Sequence, residues 1–221
     1  MSNNVVITGA NRGIGLAMTK IFKAQGNNVY ALCRNSSKEL EGLSANIVTD
    51  IDVGTEQGIK NMKKALIGIG VDILVCNAGI LRDENLTDMN INTIREQFEI
   101  NALAPLRIVH ALQSHFNPKG KIAMITSRMG SISDNGSGGR YGYRMSKAAL
   151  NAAAMSLSKD LASQDVTVGI YHPGYVKTDM VKHNGDITAD ESAQRIIGLI
   201  SNLTIENSGV FMHSNGDVLP W

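Results

Sequence analysis

Val5-Val6-Ile7-Thr8-Gly9-Ala10-Asn11-Arg12-Gly13-Ile14-Gly15 is a short apolar run that turns through glycines into a helical pattern ending near Gln25. Gly9 permits a tight turn, and Gly13 and Gly15 let the backbone and the following helix approach an anion closely. Free N–H groups and the positive dipole end of that helix would then face a pyrophosphate. The spacing is Gly-x-x-x-Gly-x-Gly, not the Gly-x-Gly-x-x-Gly of the best-known dinucleotide fingerprint. The strand–turn–helix setting is nevertheless the one phosphate binding demands. Gly9, Asn11, Arg12, Gly13, Ile14 and Gly15 are therefore candidate dinucleotide-binding residues.

The same alternation continues outward from this turn. Further strands are expected at Asn28–Cys33, Ala45–Thr49, Ile73–Cys76, Lys121–Thr126, Thr167–Tyr171 and Val210–His213, after a first at Asn4–Thr8. They are almost continuously apolar, the pattern of strands covered on both faces. Helices are expected at Ile14–Gln25, Glu56–Ile67, Thr93–His115 with a break at Pro105, Arg144–Ser163 and Ala189–Ser201. Such βαβ alternation implies right-handed crossovers and a doubly wound, mostly parallel sheet of about seven strands. With 221 residues and no repeat or linker, residues 1–221 read as one α/β domain of Rossmann type. The most loop-like segments are Ser131–Arg140 and Lys182–Ile187, the second ending where Thr188 can cap the last helix.

A net charge of +1 gives no electrostatic case for nucleic acid or an anionic membrane as partner. No apolar stretch approaches the roughly 20 residues of a membrane-spanning helix. The strand at Val5–Ile7 leaves no room for a signal peptide, so a cytoplasmic location is expected. Cys33 and Cys76 fall at strand ends without a Cys-x-x-Cys or a Cys/His cluster and read as buried reduced thiols, with no metal site expected.

Chemistry concentrates further along. The stretch Gly142–Leu150 reads as the start of a helix, which puts Tyr143 and Lys147 on one face. A free phenol has a pKa of about 10, and a fixed cation nearby draws it toward neutrality, where it can give and take protons. Ser127 adds a hydroxyl to the same centre. Alone, this spacing arises by chance on many solvated helix faces; its weight comes from the glycine turn. At the end of the second strand, Cys33-Arg34-Asn35 carries no acid to hold a ribose 2′-hydroxyl. Arg34 and Arg12 instead offer guanidinium groups for a 2′-phosphate, which favours NADP(H) over NAD(H).

These residues carry a family resemblance. Thr8–Gly15, Asp52-Val53, Asn77-Ala78-Gly79, Asn101, Ser127 with Tyr143 and Lys147, and Pro173-Gly174 followed by Thr178 fall in the order found in the short-chain dehydrogenase/reductase family. The resemblance covers essentially the whole chain. Ser127–Ser131, Ser137–Gly139 and the ending Pro220-Trp221 look more specifically like the C-factor/sniffer-type carbonyl reductases. The resemblance implies an oxidoreductase moving hydride between a nicotinamide and a small carbonyl or alcohol substrate. It implies that Asp52 and Val53 contact the adenine and that Asn77, Ala78 and Gly79 line the cofactor. Pro173, Gly174, Val176 and Thr178 would hold the nicotinamide end. Asn101, Ser127, Tyr143 and Lys147 would be catalytic: Tyr143 exchanges the proton, Lys147 binds the ribose and tunes Tyr143, Ser127 holds the substrate oxygen, and Asn101 holds a water linked to Lys147. The family's helix at this position often packs on a second subunit, so a homodimer or homotetramer is expected through Ala148, Ala149, Ala152 and Ala153.

Two departures stand out. Cys76 precedes Asn77-Ala78-Gly79 where the family often has asparagine, and the Ser127-to-Tyr143 interval is longer than usual. Neither removes a catalytic group. Tyr141 lacks a lysine four residues on and reads as a wall or packing residue. His172 reads as a hydrogen-bonded histidine rather than a catalytic one, and His110 and His115 do not share a helix face. Met129, Met145 and Met180 flank catalytic or lid positions and are candidates for an apolar substrate pocket. The short segment between Thr178 and Thr188 leaves little material for a lid. That favours one alternative from another class, an NADP(H)-binding signalling or sensor protein with little turnover.

Overall fold

The computed structural model describes residues 2–221. Seven strands form one fully parallel sheet: β1 (Asn4–Thr8), β2 (Asn28–Leu32), β3 (Asn46–Val48), β4 (Val71–Cys76), β5 (Phe116–Ile125), β6 (Thr167–His172) and β7 (Phe211–His213). Their spatial order is β3-β2-β1-β4-β5-β6-β7. The direction of winding reverses between β1 and β4, and in open α/β sheets ligands bind at the carboxyl ends of strands at such a point.

Period-two alternation explains why the strands look apolar throughout. Val5 and Ile7 of β1 join one buried cluster, whereas Val6 joins the other. Ile73 and Val75 of β4 pair with the first cluster, Leu74 and Cys76 with the second. The first cluster is roofed by α1 (Gly13–Ala24), α2 (Lys38–Glu41) and α7 (Ala189–Ser201), through Met18, Phe22, Leu40, Ile196 and Ile200. The second is roofed by α3 (Glu56–Ala65), α5 (Ala104–Leu112) and α6 (Tyr141–Asp160), through Met62, Ile108, Leu112, Leu150 and Ala154. Each fully buried aliphatic side chain of this kind contributes about 1.5–3 kcal/mol of transfer free energy. Thr188 accepts from the Glu191 N–H at 3.1 Å and so caps α7 as its sequence position predicts.

Besides the unexpected short α2 and small shifts at element ends, three elements differ from the sequence expectation. The helix expected over Thr93–His115 is α4 (Ile91–Phe98), a π-helical stretch (Glu99–Leu103), and then α5. The interruption lies just ahead of Pro105, which itself sits in the first turn of α5, where its missing N–H is tolerated. That missing N–H would have closed the i→i−4 bond on the Asn101 carbonyl, which ties the irregular turn to the proline. Strand β5 begins at Phe116 rather than Lys121. Val71 pairs with Phe116 and Ile73 with Lys121, so the intervening residues bulge out, with Lys119 at φ +64°. Helix α6 starts at Tyr141, three residues before Arg144, so Tyr143 lies in its first turn.

Candidate active site

Arg12 precedes α1 in extended conformation, and neither a side-chain cap nor an acid in the first turn meets the N–H groups of this helix end among the described residues. A helix N-terminus left this way fits an anion. Gly13 turns the chain at φ +53°, a region that favours glycine. Gly15 has a different task from the one its spacing suggests. A Cβ there would lie 2.3 Å from the Gly9 carbonyl oxygen and 2.6 Å from Asn77 Nδ2, so this glycine seats α1 against the turn rather than admitting a ligand.

The ends of β1 and β4 are locked together across the switch point. The Thr8 hydroxyl accepts from the N–H groups of Asn77 and Ala78, both at 3.0 Å, and Asn77 Nδ2 donates to the Thr8 and Gly9 carbonyls at 3.0 and 3.2 Å. Asn101, fully buried, clamps the next residues: its Oδ1 accepts from Ile80 N at 2.9 Å, and its Nδ2 donates to Ile80 O at 2.8 Å and to Ser146 Oγ at 3.1 Å. Both side-chain donors are thus committed.

A cleft of about 500 Å³ runs along these strand ends. Of the candidate residues it gathers Gly9, Asn11, Arg12, Gly13, Ile14, Arg34, Asp52, Val53, Asn77, Ala78, Gly79, Tyr143, Lys147, Pro173 and Thr178. Gly15, Asn101 and Ser127 support its wall without lining it, as do Gly174, which turns at φ +92°, and Val176, which bridges to Ile187. Ile80, Arg82 and Asp179, in the loops Gly79–Asn90 and Asp179–Ile187 that the sequence assigns to the pocket rim, also line the cleft. The sequence reading missed Ile51, Glu96, Ile100, Ile125 and Thr126, which line it too, and of these only Thr126, beside Ser127, carried a positional signal. Of the three methionines singled out, Met180 lines the cleft, Met129 lines a neighbouring hollow with Glu84 and Arg140, and Met145 is exposed. Tyr141 lies off the cleft. Asp52 Oδ1 is held by the Gly54 N–H at 3.0 Å.

Arg34 and Arg12 both reach the cleft, but Arg12 is engaged. Its Nη1 lies 3.1 Å from Asp179 Oδ2, and His183 Nε2 lies 3.1 Å from the other oxygen of that carboxylate.

Tyr143 and Lys147 are both buried, and Lys147 Nζ lies 5.8 Å from the centre of the Tyr143 ring. Burial pushes the Tyr143 phenol above its ordinary value, while the Ser127 hydroxyl and the Arg140 charge pull the other way. Lys147 is itself pushed down to about 8 by burial, and its Nζ donates to the Ile125 carbonyl at 2.9 Å. Desolvation outweighs both of these pulls on Tyr143, and the phenol is held as a proton donor. Ser127 Oγ accepts from Met129 N at 3.1 Å, which leaves its hydroxyl proton free to donate.

Cys33 and Cys76 are buried free thiols, and burial raises Cys76 to about 12, so a thiolate is disfavoured there. His172 is not hydrogen-bonded at Nδ1, contrary to expectation; it packs edge-on to His213 with centroids 5.0 Å apart, and burial pushes it down to about 3. No helix among the described residues is long and apolar enough to cross a membrane.

With this geometry in view, the sequence model of one family, described as short chain dehydrogenase, matches residues 3–189. A 1-hydroxy-2-glutathionyl-2-methyl-3-butene dehydrogenase of Rhodococcus sp. (strain AD45) is 34% identical over 99% of this chain and all of its own length. The C-signal protein of Myxococcus xanthus is 39% identical over 68% of this chain and 93% of its own. Among solved structures, an NADPH-bound carbonyl reductase from chicken fatty liver superposes with a TM-score of 0.90 at 30% identity, covering 100% of this chain and 99% of that one. The C-signal and carbonyl reductase similarities agree with the subgroup that the sequence resembles.

Proposed function

This chain belongs to the short-chain dehydrogenase family, and from that we propose that it is an NADP(H)-dependent oxidoreductase acting on a carbonyl/alcohol pair, with Tyr143 as general acid and base. The observation that carries the reading is convergence: buried Tyr143 and Lys147 line the same cleft as the uncapped N-terminus of α1. When bound, a nicotinamide supplies or accepts the hydride, and its oxidised form adds a positive charge that favours the phenolate. Tyr143 gives its proton to the substrate oxygen in reduction and takes it back in oxidation. Ser127 donates its free hydroxyl proton to the same oxygen, where negative charge develops. Lys147 has one donor on Ile125 and two left for a ribose. Because the side-chain donors of Asn101 are committed, the expected water would sit at its backbone carbonyl.

The diphosphate would lie on α1, with Asp52 and Val53 at the adenine, Gly79 and Thr178 toward the nicotinamide, and Arg34 with Arg12 at the 2′-phosphate. The NADPH bound by the chicken carbonyl reductase supports that preference. Half-buried Ala148, Ala149 and Ala153 and exposed Ala152 give α6 a small-residue face on which a second copy would pack. A panel of small carbonyls with NADPH tests the reading: Tyr143→Phe should lose nearly all turnover while keeping cofactor affinity, and unchanged turnover would sink the mechanism. Similarity to the C-signal protein favours a second reading, an NADP(H)-binding signalling or sensor protein. NADPH binding with no oxidation across the panel would select it.

A further inference from the structure

Helix α6 carries Tyr143 yet begins without a cap of its own. Arg140, which precedes it, is left-handed (φ +50°), offers no side-chain cap, and no acid lies in the first turn. The first helical bond runs from Arg144 N to Arg140 O at 2.9 Å, so the N–H groups of Tyr141, Gly142 and Tyr143 have no intrahelical partner. Into this gap comes Glu84, 3% exposed, from the loop after β4.

We propose that Glu84 is a positioning residue for Tyr143, its carboxylate capping the helix from outside. Glu84 Oε2 accepts from Gly142 N at 3.3 Å, and the Glu84 carbonyl accepts from Arg140 N at 2.7 Å. One residue therefore holds the chain on both sides of the helix start. Its Oε1 accepts from Thr93 Oγ1 and Gln97 Nε2, both at 2.6 Å, which anchors it to α4. Gln97 Nε2 and Gly142 N thus donate to different oxygens, with the Thr93 hydroxyl placed between Oε1 and the Asn90 carbonyl at 2.9 Å, and only a group that accepts at both oxygens can meet them. No lysine, arginine or histidine pairs with Glu84 among the described residues; the nearby Arg82 and Arg140 pair with Glu96 and Asp83. The carboxylate is met by neutral donors and the positive end of a 20-residue helix. The seat has no slack, because a Cβ on Gly142 would lie 2.4 Å from Gln97 Nε2 and 2.9 Å from Ile94 Cα. Tyr143 is the next residue, so movement of this turn moves the phenol relative to Ser127.

The inference rests on the reading of Tyr143 as the proton-transfer group. Its test compares Glu84→Gln with Thr93→Val. The first sets an amide against a donor; the second removes one partner of Oε1 and leaves the hold on Gly142 intact. Backbone hydrogen exchange is followed over residues 141–147 and over 13–18 of α1, and kcat and KM are measured with NADPH and the best carbonyl of the panel. Glu84→Gln should speed exchange over 141–147 at least tenfold without change in α1. Its kcat should fall about tenfold, with KM and NADPH affinity within about twofold, in line with the rate cost of misplaced catalytic groups. Thr93→Val should match the wild type in both readouts. Unchanged exchange over 141–147, faster exchange over the whole chain, local loosening without loss of kcat, or equal losses in both variants would each overturn the proposal. A wild type without turnover would defeat the proposed function, and the exchange measurement would then decide the role of Glu84 by itself.

Discussion

Arg12 and Asp179 face each other at the mouth of the cleft, Nη1 to Oδ2 at 3.1 Å, both more than half exposed. One of the two guanidinium groups expected at a 2′-phosphate is thus held by a carboxylate on the segment after Thr178. An exposed pair is worth about 0.2–1 kcal/mol. Asp179→Asn should therefore tighten NADPH binding by about two- to fivefold and leave NADH unchanged, as read by fluorescence titration. Weaker NADPH binding would mean that Asp179 holds Arg12 in its working position.

Gly15 and Gly26 separate two reasons for glycine. Gly15 has no positive φ, yet its Cβ would meet the Gly9 backbone at 2.3 Å; Gly26 turns at φ +81° with nothing within 4 Å. Gly26→Ala should cost about 1–2 kcal/mol from backbone strain alone. Gly15→Ala should cost more, in the range of about 3 kcal/mol or above for overpacking against backbone. Urea denaturation of the two variants checks the order, and equal losses would contradict the packing role.

The strands were legible because burial on both faces leaves an unbroken apolar run, and β1 matches its expected bounds from Asn4 to Thr8. The glycine turn and the Tyr143–Lys147 face were legible because their spacing is local. What the sequence hid depends on contacts between distant segments. Gly15 reads as a ligand-approach residue until Gly9 and Asn77 are seen against it. Glu84 carries no motif, and only the meeting of its loop with α4 and α6 shows its place. The π-helical stretch at Glu99–Leu103 was hidden because apolar periodicity does not distinguish one extra residue in a turn. The burial that raises the Tyr143 phenol is likewise a property of the packed site, not of its spacing.

Asn101 joins that hidden turn to the wall of the cleft. Its three hydrogen bonds hold both backbone groups of Ile80 and the Ser146 hydroxyl in a fully buried setting. Asn101→Ala leaves the Ile80 N–H and C=O without partners, at a cost of about 2–4 kcal/mol in unfolding experiments. Because Gly79 adjoins Ile80, NADPH affinity should fall as well. A variant that loses stability but binds NADPH as the wild type does would confine Asn101 to the scaffold.

Lys147 gives the pH dependence a definite sign. Its folded value of about 8 lies below the 10.5 of a free lysine, because burial disfavours the charged form. Between about pH 8 and 10.5 the unfolded chain therefore binds the extra proton, and stability rises with pH across that window, by at most about 3 kcal/mol. Lys147→Met should abolish the rise, as followed by urea denaturation at several pH values. Turnover should show the opposite trend in the reductive direction. The raised Tyr143 phenol stays protonated through neutrality and can serve as acid, whereas Lys147 loses its charge above about pH 8. Carbonyl reduction measured as kcat/KM should be flat below about pH 7 and decline through pH 8, reporting the free protein. Wild-type and Lys147→Met stabilities that run parallel from pH 8 to 10.5 would show that Lys147 titrates as a solvated lysine, and the buried-cation account of the site would fail.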